Sequence, residues 1–183
     1  MRQHVYYAKT LIVIMLLGLI GSTTQAQAEG GVELAGDVLV AVLPATAGGL
    51  ILGNKDREGA WQLVESAALA LGTTFLLKYT VKEERPNGKD NHSFPSAHSS
   101  VSFTSAEFIR KRYGWEYGVP AYAVASFVAY SRVDAKQHHA HDVIAGAAIG
   151  IGSSYLFSRP YAGWQLQAEA DPKYYGLRLS RVW

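Results

Sequence analysis

Five histidines of this 183-residue sequence crowd into two short stretches, His92 and His98 in one and His138, His139 and His141 in the other. Beside them stand Lys78, Arg85, Ser96, Arg132 and Asp142. Three fixed cations, Lys78, Arg85 and Arg132, can neutralise a phosphate dianion, and arginine forks match its oxygens bidentately. His138 and Asp142 are four residues apart, so on a helix they share a face. A carboxylate there can accept from one imidazole nitrogen and leave the other free to attack. His98, from a different segment, can serve as acid and then as base. If Ser96, Ala97 and His98 open a helix, its free amides and dipole favour an anion. Together these residues suit phosphoryl transfer. The chain has no cysteine, which excludes thiol catalysis, a disulfide scaffold and a cysteine-ligated metal.

Each residue also has a plainer reading. Lys78 and Arg85 alone would read as solvated loop charges. Arg132 can pair with Asp134 or Glu116. Ser96 can simply cap a helix. His138 with His141 or Asp142 has the spacing of a zinc site. Their coincidence in one pattern is what favours chemistry.

The elements that must bring these residues together read as helices. Residues 38–53 are uncharged and apolar, with Pro44 and a Gly48-Gly49 pair inside. Further helices are expected over about 61–78, 97–112, 117–131 and 140–158, with Pro120 in the first turn of the fourth. Residues 81–95, rich in charge, Pro, Gly and Asn, read as a loop. In an up-down arrangement one end then collects Lys78, Arg85, Ser96, His98, Arg132, His138, His139, His141 and Asp142. The other end collects Lys55, Arg57, Arg110, Lys111, Arg112 and Arg159. The expected fold is all-α, a compact up-down bundle of about five core helices with the active site at one end. A short irregular or β-like tail would follow, in which 177–183 alternates as a strand does.

The start of the chain reads as a targeting signal. Arg2 and Lys9 precede an apolar run at 11–20, and Ala26-Gln27-Ala28 has the small-residue form of a cleavage site. The apolar run is too short to span a membrane by itself. The expected division is a signal peptide at 1–28, a helical-bundle domain at 29–158 and a tail at 159–183. Removing Arg2 and Lys9 from 17 basic residues leaves 15, equal to the 15 acidic ones. A nucleic-acid reader would carry a basic surplus. Hydrophobic residues at 49% and charged residues at 17% exclude a disordered chain.

Three stretches together resemble the signature of the type 2 phosphatidic acid phosphatase and vanadium haloperoxidase superfamily. Lys78 through Arg85-Pro86 resembles its K-x6-R-P part. Pro95-Ser96-Ala97-His98 resembles P-S-G-H, with Ala97 where glycine is usual. Ser131-Arg132, His138 and Asp142 resemble S-R-x5-H-x3-D. The alanine keeps its N–H for a phosphate but loses ready access to positive φ. The resemblance implies that His138 attacks phosphorus to form a phosphohistidine, with Asp142 supporting it. It implies that His98 protonates the leaving oxygen and then activates water. Lys78, Arg85, Ser96, Ala97 and Arg132 would hold the phosphate, and no metal or other cofactor would be needed. His92, His139 and His141 match no family position.

The implied activity is a phosphoric ester hydrolase on a lipid phosphate or diphosphate of phosphatidate, isoprenyl or lipid A type. The alternatives are a soluble periplasmic acid phosphatase, a vanadate-dependent haloperoxidase and a non-enzymatic metal-binding envelope protein. Apolar helices and a basic end at Arg110-Lys111-Arg112 favour membrane association, with the site facing the periplasm by the positive-inside rule. Mean hydropathy near zero and a short, serine-rich third helix point the other way.

Overall fold

The computed structural model describes residues 28–161, 163–171 and 174–182. Residues 1–27 of the expected signal peptide, and Trp183, lie outside the described residues. The helices are α1 (Ala28–Asn54), α2 (Arg57–Val81), α3 (Ala97–Tyr113), α4 (Trp115–Asp134) and α5 (Ala140–Phe157). They form the all-α bundle that the sequence implies. Each boundary has a local cause. Asp56 caps α2 by accepting from the Gly59 amide at 2.9 Å, with Glu58 in the first turn and Lys78 in the last, both in the sense the helix dipole favours. Ser96 caps α3, whose last turn holds Arg110, Lys111 and Arg112 before Gly114 at φ 97°. That glycine turns the chain directly into α4. Because α4 begins at Trp115, Pro120 lies inside the helix, beyond the first turn where the sequence places it.

Helix α3 is the hub and packs against all four others, with α1 on α4 along one flank and α2 on α5 along the other. The two flanks are filled differently. Between α1, α3 and α4 the filling is apolar, including Leu39, Leu43, Ile51, Phe108, Ile109, Val124 and Val128. Between α2, α3 and α5 it is small and polar, with Ser66, Thr74, Ser99, Ser100, Thr104, Ser153 and Ser154 all buried. These hydroxyls bond across the helices: Thr74 to Ser100 Oγ at 3.0 Å, Ser99 to the Val143 carbonyl at 2.6 Å, and Ser154 to the Thr104 carbonyl at 2.7 Å. Gly146 and Gly150 let the backbones meet. A Cβ at Gly146 would stand 2.4 Å from the Ser96 carbonyl oxygen, and one at Gly150 2.4 Å from that of Ser100. Small residues at an interface allow this close approach. It fixes the start of α5, which carries Asp142, against the start of α3, which carries Ser96 and His98.

At the far end, Arg112 clasps Asp56 with Nε to Oδ2 at 2.7 Å and Nη2 to Oδ1 at 2.5 Å, both side chains buried. Tyr113 adds a bond to the same carboxylate at 2.9 Å. Burial by itself would raise the Asp56 carboxyl, but the hydrogen bonds from Arg112, Gly59 and Tyr113 outweigh it and hold it below the ordinary carboxylate range.

The tail is a hairpin, β1 (Gly163–Asp171) paired antiparallel with β2 (Tyr174–Val182), Leu166 opposite Leu179. The second strand contains the alternation seen at 177–182. The first strand lies in the part of the tail that reads from the sequence as irregular or β-like. In fact apolar residues recur at 164, 166, 168 and 170 with polar ones between, the period of a strand.

Candidate active site

The α2–α3 loop, the α4–α5 loop and the starts of α3 and α5 meet at one end of the bundle. The cis-proline Pro95 and Ser96 lead into α3, and the Ser96 amide donates to the Asp142 carbonyl at 3.0 Å, tying the two helix starts together. Ser96 is buried, and its hydroxyl accepts from the Ser99 amide at 3.4 Å, so it caps α3 from within the site. Ala97 is the first helical residue. Among the described residues, those other than glycine at positive φ are Lys55, Lys82 and Lys136, so the alanine replaces glycine at a position that does not need the left-handed region.

His138 and Asp142 are both buried, at 3% and 0% side-chain exposure, with Nδ1 and Oδ2 3.5 Å apart. That separation is longer than a hydrogen bond, and His138 Nδ1 has no hydrogen-bond partner among the described residues. Such contacts tighten on binding in many catalytic sites. The carboxylate itself is fixed: Oδ2 accepts from Ser93 Oγ at 2.5 Å and from the His139 amide at 2.8 Å. With Nδ1 turned to Asp142, Nε2 lies on the opposite edge of the ring. Burial, then the charges of Arg85 and Lys78, push the His138 imidazole down to about 4 despite the opposing charge of Asp142. It is therefore neutral through the weakly acid and neutral range, as a nitrogen nucleophile must be.

The three cations are held, not free. Lys78 is buried and donates to the His92 and Ser93 carbonyls at 2.5 and 3.4 Å. Arg85 reaches Asp90 through Nε at 2.8 Å and the Gln137 carbonyl through Nη1 at 3.1 Å. Its charge is felt by both His138 and His98. Arg132, whose plainer reading is a pair with Asp134 or Glu116, instead donates to Asp37 at 2.7 Å, to the Glu33 carbonyl at 2.7 Å and to Ser131 Oγ at 3.1 Å. The bonds named leave N–H groups on all three side chains for an oxyanion, since a guanidinium has five and an ammonium three. His98 presents Nε2 to Asp37 Oδ1 at 3.1 Å.

The eight residues singled out from the sequence thus lie at one end of the bundle. His138, Asp142, Lys78 and Arg85 form one group. His98 and Arg132 form a second, joined through Asp37, and Arg85 bridges the two. His92 contributes its carbonyl to Lys78 and its ring edge to Tyr79, with centroids 5.3 Å apart. The sequence reading misses Asp37, Ser93, Asp90 and Gln137. Asp37 leaves a trace: it is a lone carboxylate at the edge of the apolar stretch, next to Gly36. A Cβ on Gly36 would fall 1.9 Å from Ser131 Oγ, so this glycine lets α1 lie against the Arg132 turn. The described residues that gather metal-type ligands are Glu83, His139, His141 and Asp142, beside the His138–Asp142 pair.

Residues 59–164 match the PAP2 superfamily. A lipid A 4'-phosphatase of Helicobacter pylori is 29% identical over 195 residues, covering 96% of this chain and 98% of that protein. A lipid A 1-phosphatase of Porphyromonas gingivalis is 39% identical over 108 residues, 54% of this chain and 24% of the relative's own length. Among solved structures, the crystal structure of Aquifex aeolicus LpxE shares the fold with TM-score 0.53. It is 22% identical and covers 66% of this chain and 83% of that one.

Proposed function

The chain belongs to the PAP2 superfamily and is a phosphoric ester hydrolase, and we propose that it removes a phosphate from lipid A at a membrane surface through a phosphohistidine on His138. The observation that carries the chemistry is the buried pair of His138 and Asp142 faced by Lys78 and Arg85, with His98 and Arg132 alongside. In the first step His138 Nε2 forms a bond to phosphorus while the bond to the lipid oxygen breaks. His98 gives its proton to that departing oxygen. In the second step His98 takes a proton from water, the water oxygen attacks phosphorus, and the P–N bond breaks to release phosphate. Lys78, Arg85 and Arg132, with the amides at the start of α3 around Ser96 and Ala97, hold the phosphoryl oxygens as charge shifts between them. Asp142 stabilises the imidazole as it gains positive charge.

A lipid substrate is supported by the two lipid A phosphatases among the relatives and by the outer surface of the bundle. Residues 30–54 of α1 and 57–81 of α2 are long and apolar enough to cross a membrane. Only 28% and 22% of their apolar windows are buried within the protein, so these are not core helices of the usual kind. Leu34, Leu52, Trp61, Val64, Leu76, Ile144 and Leu156 point outward, while serines and threonines fill the space between α2, α3 and α5. Apolar outside with small polar groups inside is the distribution a bilayer favours. With Arg110, Lys111 and Arg112 at the opposite end, the positive-inside rule turns the site to the periplasm. The division into signal peptide 1–28, bundle 29–158 and tail 159–183 belongs to this reading.

The test uses the full chain in detergent with lipid A, phosphatidate, an isoprenyl diphosphate and a soluble aryl phosphate as competing substrates. Release of phosphate should be fastest from lipid A, persist in EDTA and be blocked by vanadate, which mimics pentacoordinate phosphorus. Turnover confined to the soluble ester would overturn the lipid assignment.

A further inference from the structure

Glu83, His139 and His141 have no part in the reaction above, yet the fold gathers all three against Asp142. His141 Nε2 lies 2.7 Å from Glu83 Oε1 and 3.1 Å from Asp142 Oδ1. His139 Nδ1 lies 3.2 Å from the same Glu83 oxygen and 3.5 Å from Asp142 Oδ2. The two imidazole rings stack with centroids 5.1 Å apart and planes 10° from parallel. One ligand atom from each of the four residues fits within 4.8 Å of all the others. A tetrahedral zinc with ligands at about 2.0–2.2 Å spaces its donors roughly 3.3–3.6 Å apart, close to these separations. Two imidazole nitrogens with two carboxylate oxygens also suit zinc better than magnesium or calcium, which prefer oxygen alone.

A second observation points the same way. Asp142 is fully buried, and its two oxygens are treated differently. Oδ2 takes the bonds from Ser93 and the His139 amide, whereas Oδ1 is buried without a hydrogen bond. His141 Nε2 stands beside it but lacks hydrogen-bond geometry. A buried anionic oxygen without a donor is costly, and a cation bound on the Glu83 and His141 side would satisfy it.

We propose that Glu83, His139, His141 and Asp142 form an inhibitory zinc site at the rim of the active site. Zinc on Oδ1 draws the carboxylate's charge away from His138 and places positive charge beside an imidazole that must itself become positive during attack. Binding stands on the cluster alone; its effect on turnover rests on the role given to Asp142 above.

The test titrates the EDTA-stripped full chain in detergent with zinc alone by calorimetry, and with cobalt followed by visible absorption. Wild type should take up one equivalent of zinc per chain and give cobalt bands of four-coordinate intensity. Glu83→Gln and His141→Ala should each weaken zinc binding at least tenfold. Both should keep the wild-type rate in EDTA and lose the inhibition that zinc causes in wild type. No stoichiometric uptake by wild type, or undiminished uptake in both variants, would overturn the site. One bound zinc with an unchanged rate would overturn its inhibitory role. If no substrate is turned over at all, the phosphatase reading fails while the titration still decides the site.

Discussion

The contact between α3 and α5 makes a prediction about activity that involves no chemical group. A Cβ on Gly150 would stand 2.4 Å from the Ser100 carbonyl oxygen and 2.7 Å from the Thr104 amide nitrogen. Ordinary contact begins at 3.4 Å, so α5 must move about 1 Å away from α3, because both neighbours are backbone atoms. The same helix carries Asp142 and follows His138, while α3 carries Ser96 and His98. Gly150→Ala therefore separates His138 from His98 by about that distance. A misplacement of this size costs on the order of 10²-fold in rate, and the overpacked interface costs roughly 1–3 kcal/mol in stability. Gly152→Ala is the control: it lies on the same helix with nothing within 4 Å of its Cβ. It should leave the rate unchanged and, with better helix propensity, slightly raise stability. The assay is kcat/KM for lipid A in detergent beside thermal unfolding of each variant. A Gly150→Ala protein with wild-type kcat/KM would refute the claim that this contact sets the site geometry.

Two further outcomes follow from contacts at opposite ends of the bundle. Asp37→Asn removes the negative charge shared by His98 and Arg132, so His98 holds its proton less tightly. The rate should fall at least about tenfold, part of the ~10²–10⁴ a positioned acid–base group supplies. The alkaline limb of kcat should also move to lower pH, a shift that mere loosening would not produce. Asp56→Asn breaks the buried pair with Arg112 and should cost about 3–5 kcal/mol near neutral pH. Because the Asp56 carboxyl is held below its unfolded value, its contribution is complete above about pH 4. It is lost as pH falls through the folded value, so the melting temperatures of variant and wild type should converge in acid.

What could be read from the sequence divides along physical lines. Lys78, Arg85, Ser96, His98, Arg132, His138 and Asp142 stand out in the sequence because the proposed phosphate chemistry needs particular side chains at particular places, here on two helix ends, two loops and two helix starts. Their assembly at one end follows from short connections between antiparallel helices. Asp37 was hidden because its partner Arg132 lies 95 residues away, on a helix that meets α1 only in the folded bundle. Ser93 was hidden because its role depends on the path of the loop toward Asp142, which no local pattern sets. Pro120 misled the boundary of α4: proline is familiar in a first turn, but Gly114 had already started the helix at Trp115. The first strand of the hairpin alternates weakly, with alanine at two of its four apolar positions, and its partner is a separate segment. The cluster proposed to bind zinc joins Glu83 of the α2–α3 loop to His139 and His141 at the start of α5, so helical spacing shows only half of it.

The central claim is that His138 carries the phosphoryl group between the two steps. It is tested most directly by rapid quench of the enzyme with radiolabelled lipid phosphate, followed by peptide mapping under alkaline conditions that preserve phosphoimidazole. The label should appear on His138, and should both form and decay more slowly in His98→Ala, which lacks the acid of the first step and the base of the second. Turnover by His138→Ala, or label found on any other residue, would contradict it.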